Sequence, residues 1–141
     1  MATVTTNYAG PASEATTSKV ERVINILHWT YGLVPIVAGA DKFAHILVDW
    51  NQYLAPVVTN IIPAQTFMSI VGIIEIIAGL IVLIKPRIGS LIVGCWLIAI
   101  AINLLLTGQY YDVAVRDVVM AIGAFSLYML TSDHHKTDVV R

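Results

Sequence analysis

The amino-acid sequence predicts an all-α, polytopic membrane protein: a bundle of four transmembrane helices with a short interfacial helix after helix one. Hydrophobic residues make up 57% of the 141 residues and charged residues 12%, whereas soluble domains carry roughly 25% charged residues. The apolar residues form four blocks in which only Glu75, Arg116 and Asp117 are charged. Because no block has the polar face of a soluble helix, a soluble bundle is disfavoured.

Each of the four blocks has nearly the length of a membrane span. As helices they would be about 27 to 29 Å long, against a hydrocarbon core of about 30 Å. Lys85, Pro86 and Arg87 separate the middle two. The predicted helices cover residues 23–40, 66–84, 88–106 and 113–130 and together form a transmembrane domain (23–130). A polar N-terminal tail (1–22) precedes this domain, and a polar C-terminal tail (131–141) follows it.

The connection between helices one and two, residues 41–65, contains a further helical pattern. Its apolar residues recur at helical spacing, which predicts a short helix lying in the membrane interface; they are Phe43, Ile46, Leu47, Trp50 and Leu54. Trp50 and Tyr53 fit an aromatic belt. We expect Pro56 and Pro63 to stop this helix and return the chain to the membrane.

The distribution of charge predicts the orientation and excludes one class of partner. Six of the eight basic residues lie on one side of the predicted membrane, and Lys42 and Arg116 lie on the other. By the positive-inside rule both termini are cytoplasmic. A net charge of -1 provides no cationic surface for a polyanion, so we expect no nucleic-acid partner.

No residue pattern predicts a self-contained redox centre. The single cysteine, Cys95, cannot form an intrachain disulfide or a CxxC pair. His28 and His45 would lie about 25 Å apart along a helix, too far to ligate one haem. We therefore predict no metal site and no cofactor held within the chain alone. The sequence leaves open whether the protein is an enzyme, since it has no nucleophile motif.

Glu75 is the first candidate functional residue. It lies in the middle of the second block, about 14 Å from either surface, where a carboxylate costs about 2.5 kcal/mol or more. We expect Glu75 to be protonated near neutral pH, or to face a buried donor or a wet cavity. Its role is then a proton carrier, a cation site or a contact for a polar ligand head group, or else a hydrogen bond that joins two helices.

Small and polar residues in helices one and two suggest which partner Glu75 has. Helix two carries Ser69, Gly72, Ile76 and Gly79 on one face, and helix one carries Asn25, His28, Gly32, Pro35 and Gly39. Such faces let two backbones approach closely. Pro35 frees the carbonyl of Tyr31, so a protonated Glu75 is expected to donate to that carbonyl or to the Tyr31 hydroxyl. His28 and Tyr31 thus join the candidate ligand-binding residues.

A second polar group is predicted near the outer surface, because antiparallel helices bring its members to similar depth. It consists of Asp41, Lys42, Asn103, Arg116 and Asp117. The simplest interpretation is an ion pair of Asp117 with Lys42 or Arg116. The functional alternative is an entrance or head-group pocket above Glu75, with Lys42, Asn103, Arg116 and Asp117 as ligand-binding residues.

Together these residues resemble the DoxX family of small four-helix membrane proteins. The similar runs are RVINILHWTYGLVPIVAGADKF, GIIEIIAGLIVLIKPRIGS and RDVVMAIGAFSLYML, within about residues 22–130. The matched positions are Arg22, Gly39 with Lys42 and Phe43, Glu75 with Gly79, and Asp117. Members of that family are linked to quinone-dependent sulfur oxidation, membrane oxidoreductase complexes and stress responses.

The resemblance implies an accessory or binding subunit of a membrane oxidoreductase complex that contacts quinone or another lipophilic ligand. Its partners would be the lipid bilayer and other membrane subunits or further copies of itself, in a bacterial or archaeal cytoplasmic membrane. Two alternatives stay open. One is a catalytic component of a quinone-linked oxidoreductase, in which Glu75 handles a proton and a partner supplies the redox centre. The other is a small proton-coupled carrier that uses Glu75.

Overall fold

The computed structural model describes residues 11–138, with side chains described for residues 15–132. All regular elements in this part of the chain are helical. They are α1 (Pro11–Ala44), a 3-10 helix (Trp50–Tyr53), α2 (Pro56–Thr59), α3 (Ala64–Ile84), α4 (Pro86–Thr107) and α5 (Tyr111–Asp138). The helices α1, α3, α4 and α5 are long and apolar enough to cross a membrane. The all-α transmembrane bundle predicted from the sequence is therefore confirmed.

Two of the long helices extend well beyond the apolar blocks. Helix α1 begins at Pro11 and α5 continues to Asp138, so residues 11–22 and 131–138 are helical rather than only polar tail. The rest of the predicted tails, residues 1–10 and 139–141, lies outside the described residues. Hydrophobicity marks the part of a helix that lies in the membrane, whereas polar residues such as Ser, Glu and Lys continue a helix into water.

Helices α1 and α3 are joined by close backbone contact at two pairs of glycines. A Cβ at Gly72 would lie 2.7 Å from the carbonyl oxygen of Gly39, and one at Gly79 would lie 2.5 Å from the carbonyl oxygen of Gly32. No larger residue fits without separating the backbones. The small residues noted in the sequence thus set the antiparallel register of these two helices.

The connection between α1 and α3 contains two short helices in place of one continuous amphipathic helix. Helix α1 ends when His45 adopts a left-handed conformation, with φ of 52°, as residues after a helix end often do. The Asp41 carboxylate then accepts hydrogen bonds from the backbone N–H groups of Ile46 and Leu47, each 3.0 Å long. Pro56 begins α2 instead of stopping a helix, whereas Pro63 directly precedes α3 as expected.

The bundle has two halves that pack differently. The closed half is the end that includes the α3–α4 connection at Lys85. Its core contains side chains from all four long helices, namely Ala78, Val82, Val93, Ala124 and Leu127, with Ile24, Leu27, Tyr31 and Leu97 around them. The cavity half is the end covered by the connection that follows α1. Its core cluster contains Ala101, Leu104 and Ala114, with Tyr53, Ile100, Tyr110 and Val113, and none of these belongs to α1 or α3.

Candidate functional site

The cavity half encloses a space of about 670 Å³ between the four long helices. Its floor is formed by residues of the closed-half core, such as Ala78 and Val93, and its roof by the connection that follows α1. Most lining side chains are apolar. The polar and aromatic ones that interrupt them are Thr30, Tyr31, Lys42, Trp50, Tyr53, Phe67, Glu75, Trp96, Asn103, Arg116 and Asp117. The cavity is therefore mostly apolar, with polar and charged side chains at a few positions.

A buried ion pair between Lys42 and Glu75 forms one wall of the cavity. Lys42 Nζ lies 2.5 Å from Glu75 Oε2, and the two side chains are 4% and 8% exposed. Side chains in a helix lean toward its N-terminus. Since α1 and α3 run antiparallel, Lys42 leans into the membrane while Glu75 leans back toward the end of α1. The two charged groups meet although their backbones lie at different depths.

Two indole rings complete the surroundings of the ion pair. Lys42 Nζ lies 3.9 Å from the centre of a Trp50 ring, which is a cation–π contact. Trp50 is fixed because its Nε1–H donates to Asp41 Oδ2 over 2.7 Å. On the other side, Trp96 Nε1–H donates a long hydrogen bond of 3.5 Å to Glu75 Oε1. Both charges thus have more than one partner, as buried charges require.

The sequence suggested a buried donor, a wet cavity or protonation for Glu75, and the structure shows a buried donor beside a cavity. The predicted partner, however, was wrong. The Tyr31 hydroxyl donates to the carbonyl oxygen of Met120 over 2.6 Å, and it lies against Gly123, where a Cβ would collide with it. Tyr31 therefore joins α1 to α5, and Lys42, not Tyr31, is the partner of Glu75.

Asp117 and Arg116 lie across the cavity on α5. The Asp117 side chain is 7% exposed, whereas that of Arg116 is 66% exposed, and Arg116 Nε lies 3.9 Å from Asp117 Oδ1. Of the two partners expected for Asp117, the structure therefore gives Arg116, because Lys42 pairs with Glu75. A contact of this length to an exposed guanidinium is weak.

Asn103 holds the roof of the cavity to α4. Its Nδ2 donates to the carbonyl oxygen of Tyr53 over 2.8 Å, and its Oδ1 accepts from the backbone N–H of Ala55 over 3.2 Å. The Tyr53 ring also packs edge-on against Tyr110, with 4.8 Å between ring centres. The amide of Asn103 thus pairs with the backbone of the connection on both sides of Leu54.

One predicted site residue lies elsewhere. His28 does not line the cavity. It lies in the closed half, where its Nε2 is 3.3 Å from the carbonyl oxygen of Leu83. Two contributors were missed: Trp50 was expected only at the membrane interface, and Trp96 was not among the candidate residues. The repeated glycine spacing in α1 and α3 carried a usable signal for the register of these two helices, but it did not identify Lys42 as the partner of Glu75.

Two residues that line the cavity, one on α1 and one on α5, are also largely exposed. Val34 on α1 is 53% exposed. On α5 the Arg116 side chain lines the cavity and is 66% exposed. Part of the cavity lining therefore also belongs to the exposed surface of the bundle.

The fold and the site together define an integral membrane protein with a cavity of ligand size that contains a buried ion pair. Within residues 15–132, whose side chains the structure describes, no group of three His, Cys, Asp or Glu side chains is placed to hold a metal ion. No family model matches the chain, and no curated protein or solved structure matches it either.

Proposed function

We propose that this protein binds a lipophilic molecule with a polar head group and serves as a DoxX-like accessory subunit of a membrane oxidoreductase complex. The observation that carries the proposal is the cavity of about 670 Å³ with its Lys42–Glu75 pair. Ligand sites typically have volumes of roughly 300 to 1,000 Å³ and apolar walls with a few placed polar groups. A quinone is the candidate ligand, since its ring and isoprenoid tail suit such walls.

The exposure of part of the cavity lining supports a ligand that comes from the membrane. A lipophilic molecule is concentrated in the bilayer, and Val34, which lines the cavity, is 53% exposed on a helix long and apolar enough to cross a membrane.

The ion pair argues against the alternative of a proton-coupled carrier. Glu75 already has the Lys42 ammonium as its cation, so a cationic substrate would have to displace a tethered charge.

Both termini are proposed to face the cytoplasm, supported by the six-to-two distribution of basic residues. In a Cys95→Ser background, a cysteine placed at the exposed Gln52 should react with an impermeant thiol reagent in intact cells. A cysteine placed at the exposed Ser18 should be protected. The reverse labelling pattern would overturn this orientation.

Ligand binding can be tested by quenching of tryptophan fluorescence in lipid nanodiscs. Trp50 and Trp96 line the cavity, whereas Trp29 is 54% exposed outside it. A Trp29→Phe background therefore reports mainly on the cavity. We expect decylubiquinone, a quinone with a short tail, to quench this fluorescence and to reach saturation. Quenching that rises linearly with quinone, without saturation, would indicate only partitioning into lipid and would contradict the proposal.

A matched pair of substitutions assigns the binding to the cavity. Ala38 lines the cavity, and Ala40, two residues later on α1, is exposed and does not. Ala38→Phe should weaken quinone binding at least about tenfold, because the ring occupies ligand space, a loss of about 1.4 kcal/mol. Ala40→Phe should leave binding unchanged.

Purification in mild detergent tests the accessory role: recovery of only a monomer or homodimer, with no redox partner, would count against it.

A further inference from the structure

The three buried carboxylates around the cavity differ in how well they are satisfied. The Asp41 carboxylate accepts from two backbone N–H groups and from Trp50. The Glu75 carboxylate accepts from Lys42 and Trp96. Among the described residues, Asp117 receives no hydrogen bond, and its one ion-pair contact is the guanidinium of Arg116 at 3.9 Å. Asp117 is thus the carboxylate left with acceptor capacity.

A carboxylate in this position needs an explanation. The Asp117 side chain is 7% exposed and lines the cavity. Its oxygens face the cavity space and have no hydrogen-bond donor from the described residues, and a carboxylate in apolar surroundings is costly unless it is hydrogen-bonded. A hydrogen-bond donor on a ligand in the cavity would remove that cost. An apolar residue at this position would give the same packing without the penalty, so the carboxylate points to a ligand that donates.

The charges around Asp117 indicate what kind of donor fits. Lys42 and Glu75 neutralise each other, and the guanidinium of Arg116 lies on the cavity edge beside Asp117. A ligand ammonium would place a second cation next to Arg116. A neutral hydroxyl donates to the carboxylate and adds no charge. The surroundings of Asp117 therefore favour a hydroxyl over an amine.

We propose that Asp117 is the hydrogen-bond acceptor for the hydroxyl of a lipophilic, phenol-like ligand, so that the cavity prefers a quinol to the corresponding quinone. This inference rests on the proposed function, because it needs the cavity to bind a lipophile. It adds a preference for the reduced form of the ligand, because a quinone offers only hydrogen-bond acceptors and a quinol offers two O–H donors. Hydrogen bonds to a carboxylate are roughly twice as strong as neutral ones.

The test uses two probes that differ in a single donor hydrogen: 4-(6-bromohexyl)phenol and its methyl ether. The bromine quenches nearby tryptophans, so binding is followed in the Trp29→Phe background, with probe concentration expressed as mole fraction in the lipid. The phenol should bind the unsubstituted Asp117 site about tenfold more tightly than the ether. Asp117→Asn should reduce this preference, because the neutral amide oxygen is a weaker acceptor for the phenol and the new amide N–H can donate to the ether.

The exposed Asp112, five residues earlier on α5, provides the matched control. Asp112→Asn makes the same chemical change outside the cavity and should preserve the preference. If both probes bind equally to the protein with Asp117 intact, this inference is wrong while the proposed function stands. If neither probe saturates, the proposed function fails and this inference with it. Tighter binding of 4-(6-bromohexyl)benzylamine than of the phenol would overturn the preference for a neutral donor. The comparison of probes at the intact site remains decisive even if Asp117→Asn does not fold.

Discussion

The closed half and the cavity half of the bundle are built from the same four helices but fill their interiors differently. In the closed half, small side chains such as Ala78 and Ala124 let all four helices contribute to one core. In the cavity half, α1 and α3 stay together through Gly39 and Gly72, while the apolar cluster involves only α4, α5 and the connection. The cavity lies where the two helix pairs no longer share a core.

This difference shows that charge is tolerated where packing is incomplete. Two carboxylates with side chains less than 10% exposed, Glu75 and Asp117, line the cavity in membrane-spanning helices. Polar groups inside a membrane typically face a bundle interior or a cavity and mark functional sites. The closed half supplies a packed floor, and Tyr31 marks the boundary by joining α1 to α5.

The largest effect is expected from removing one member of the ion pair. Lys42→Met leaves the Glu75 carboxylate buried without its cation, which typically costs about 3 to 5 kcal/mol. Thermal unfolding in detergent should show a large decrease in stability. The control is Lys85→Met, which removes an exposed basic residue between α3 and α4 and should change stability little.

A double variant separates the ion pair from the packing of its side chains. Replacing Lys42 by Met and Glu75 by Leu removes both charges and keeps apolar volume, so most of the lost stability should return. Unchanged stability in the single Lys42→Met variant would show that the pair is not the buried, mutually dependent contact described above.

Most of the fold could be predicted from the sequence because a membrane imposes strong rules. Every backbone polar group must be paired within lipid, so long apolar blocks become helices. The ends of α1 and α5 could not be predicted from hydrophobicity, since polar residues continue both helices. The single interfacial helix was also not found as expected, because the Asp41 carboxylate draws the chain after Ala44 into a turn.

The site was predicted by residue type but not by pairing. Glu75, Asp117, Lys42 and Asn103 were identified because polar groups in a membrane segment are costly. Their partners depend on helix register and on the direction in which side chains lean, and the prediction paired Glu75 with Tyr31 from depth and from the carbonyl that Pro35 frees. Lys42 reaches Glu75 from the end of α1, which depth along the helix does not show.

The next largest effect is expected in the closed half. A Cβ at Gly79 would lie 2.5 Å from the carbonyl oxygen of Gly32, and the obstacle is backbone that cannot rotate away. Gly79→Val should therefore separate α1 from α3 and cost about 3 kcal/mol, the upper end for overpacking. Ala40→Val makes a similar enlargement at an exposed position of α1 and should be nearly neutral. Equal melting temperatures for the two variants would contradict the description of the closed half as tightly packed.

The smallest effect is expected where the roof meets α4, and it should be local. Asn103→Ala removes the donor to the Tyr53 carbonyl and the acceptor of the Ala55 N–H, for a net loss of about 1 kcal/mol, because water at this end of the bundle can replace part of both bonds. The variant should loosen the cover of the cavity while leaving the closed half intact. Hydrogen exchange followed by mass spectrometry should therefore speed up in peptides covering residues 50–59 and stay unchanged in peptides covering residues 76–84.

Thr107→Ala serves as the control, because the Thr107 hydroxyl bonds only within α4 and its terminal turn. Faster exchange in both regions would mean that the two halves open together, and the separation between a packed floor and a movable roof would be wrong.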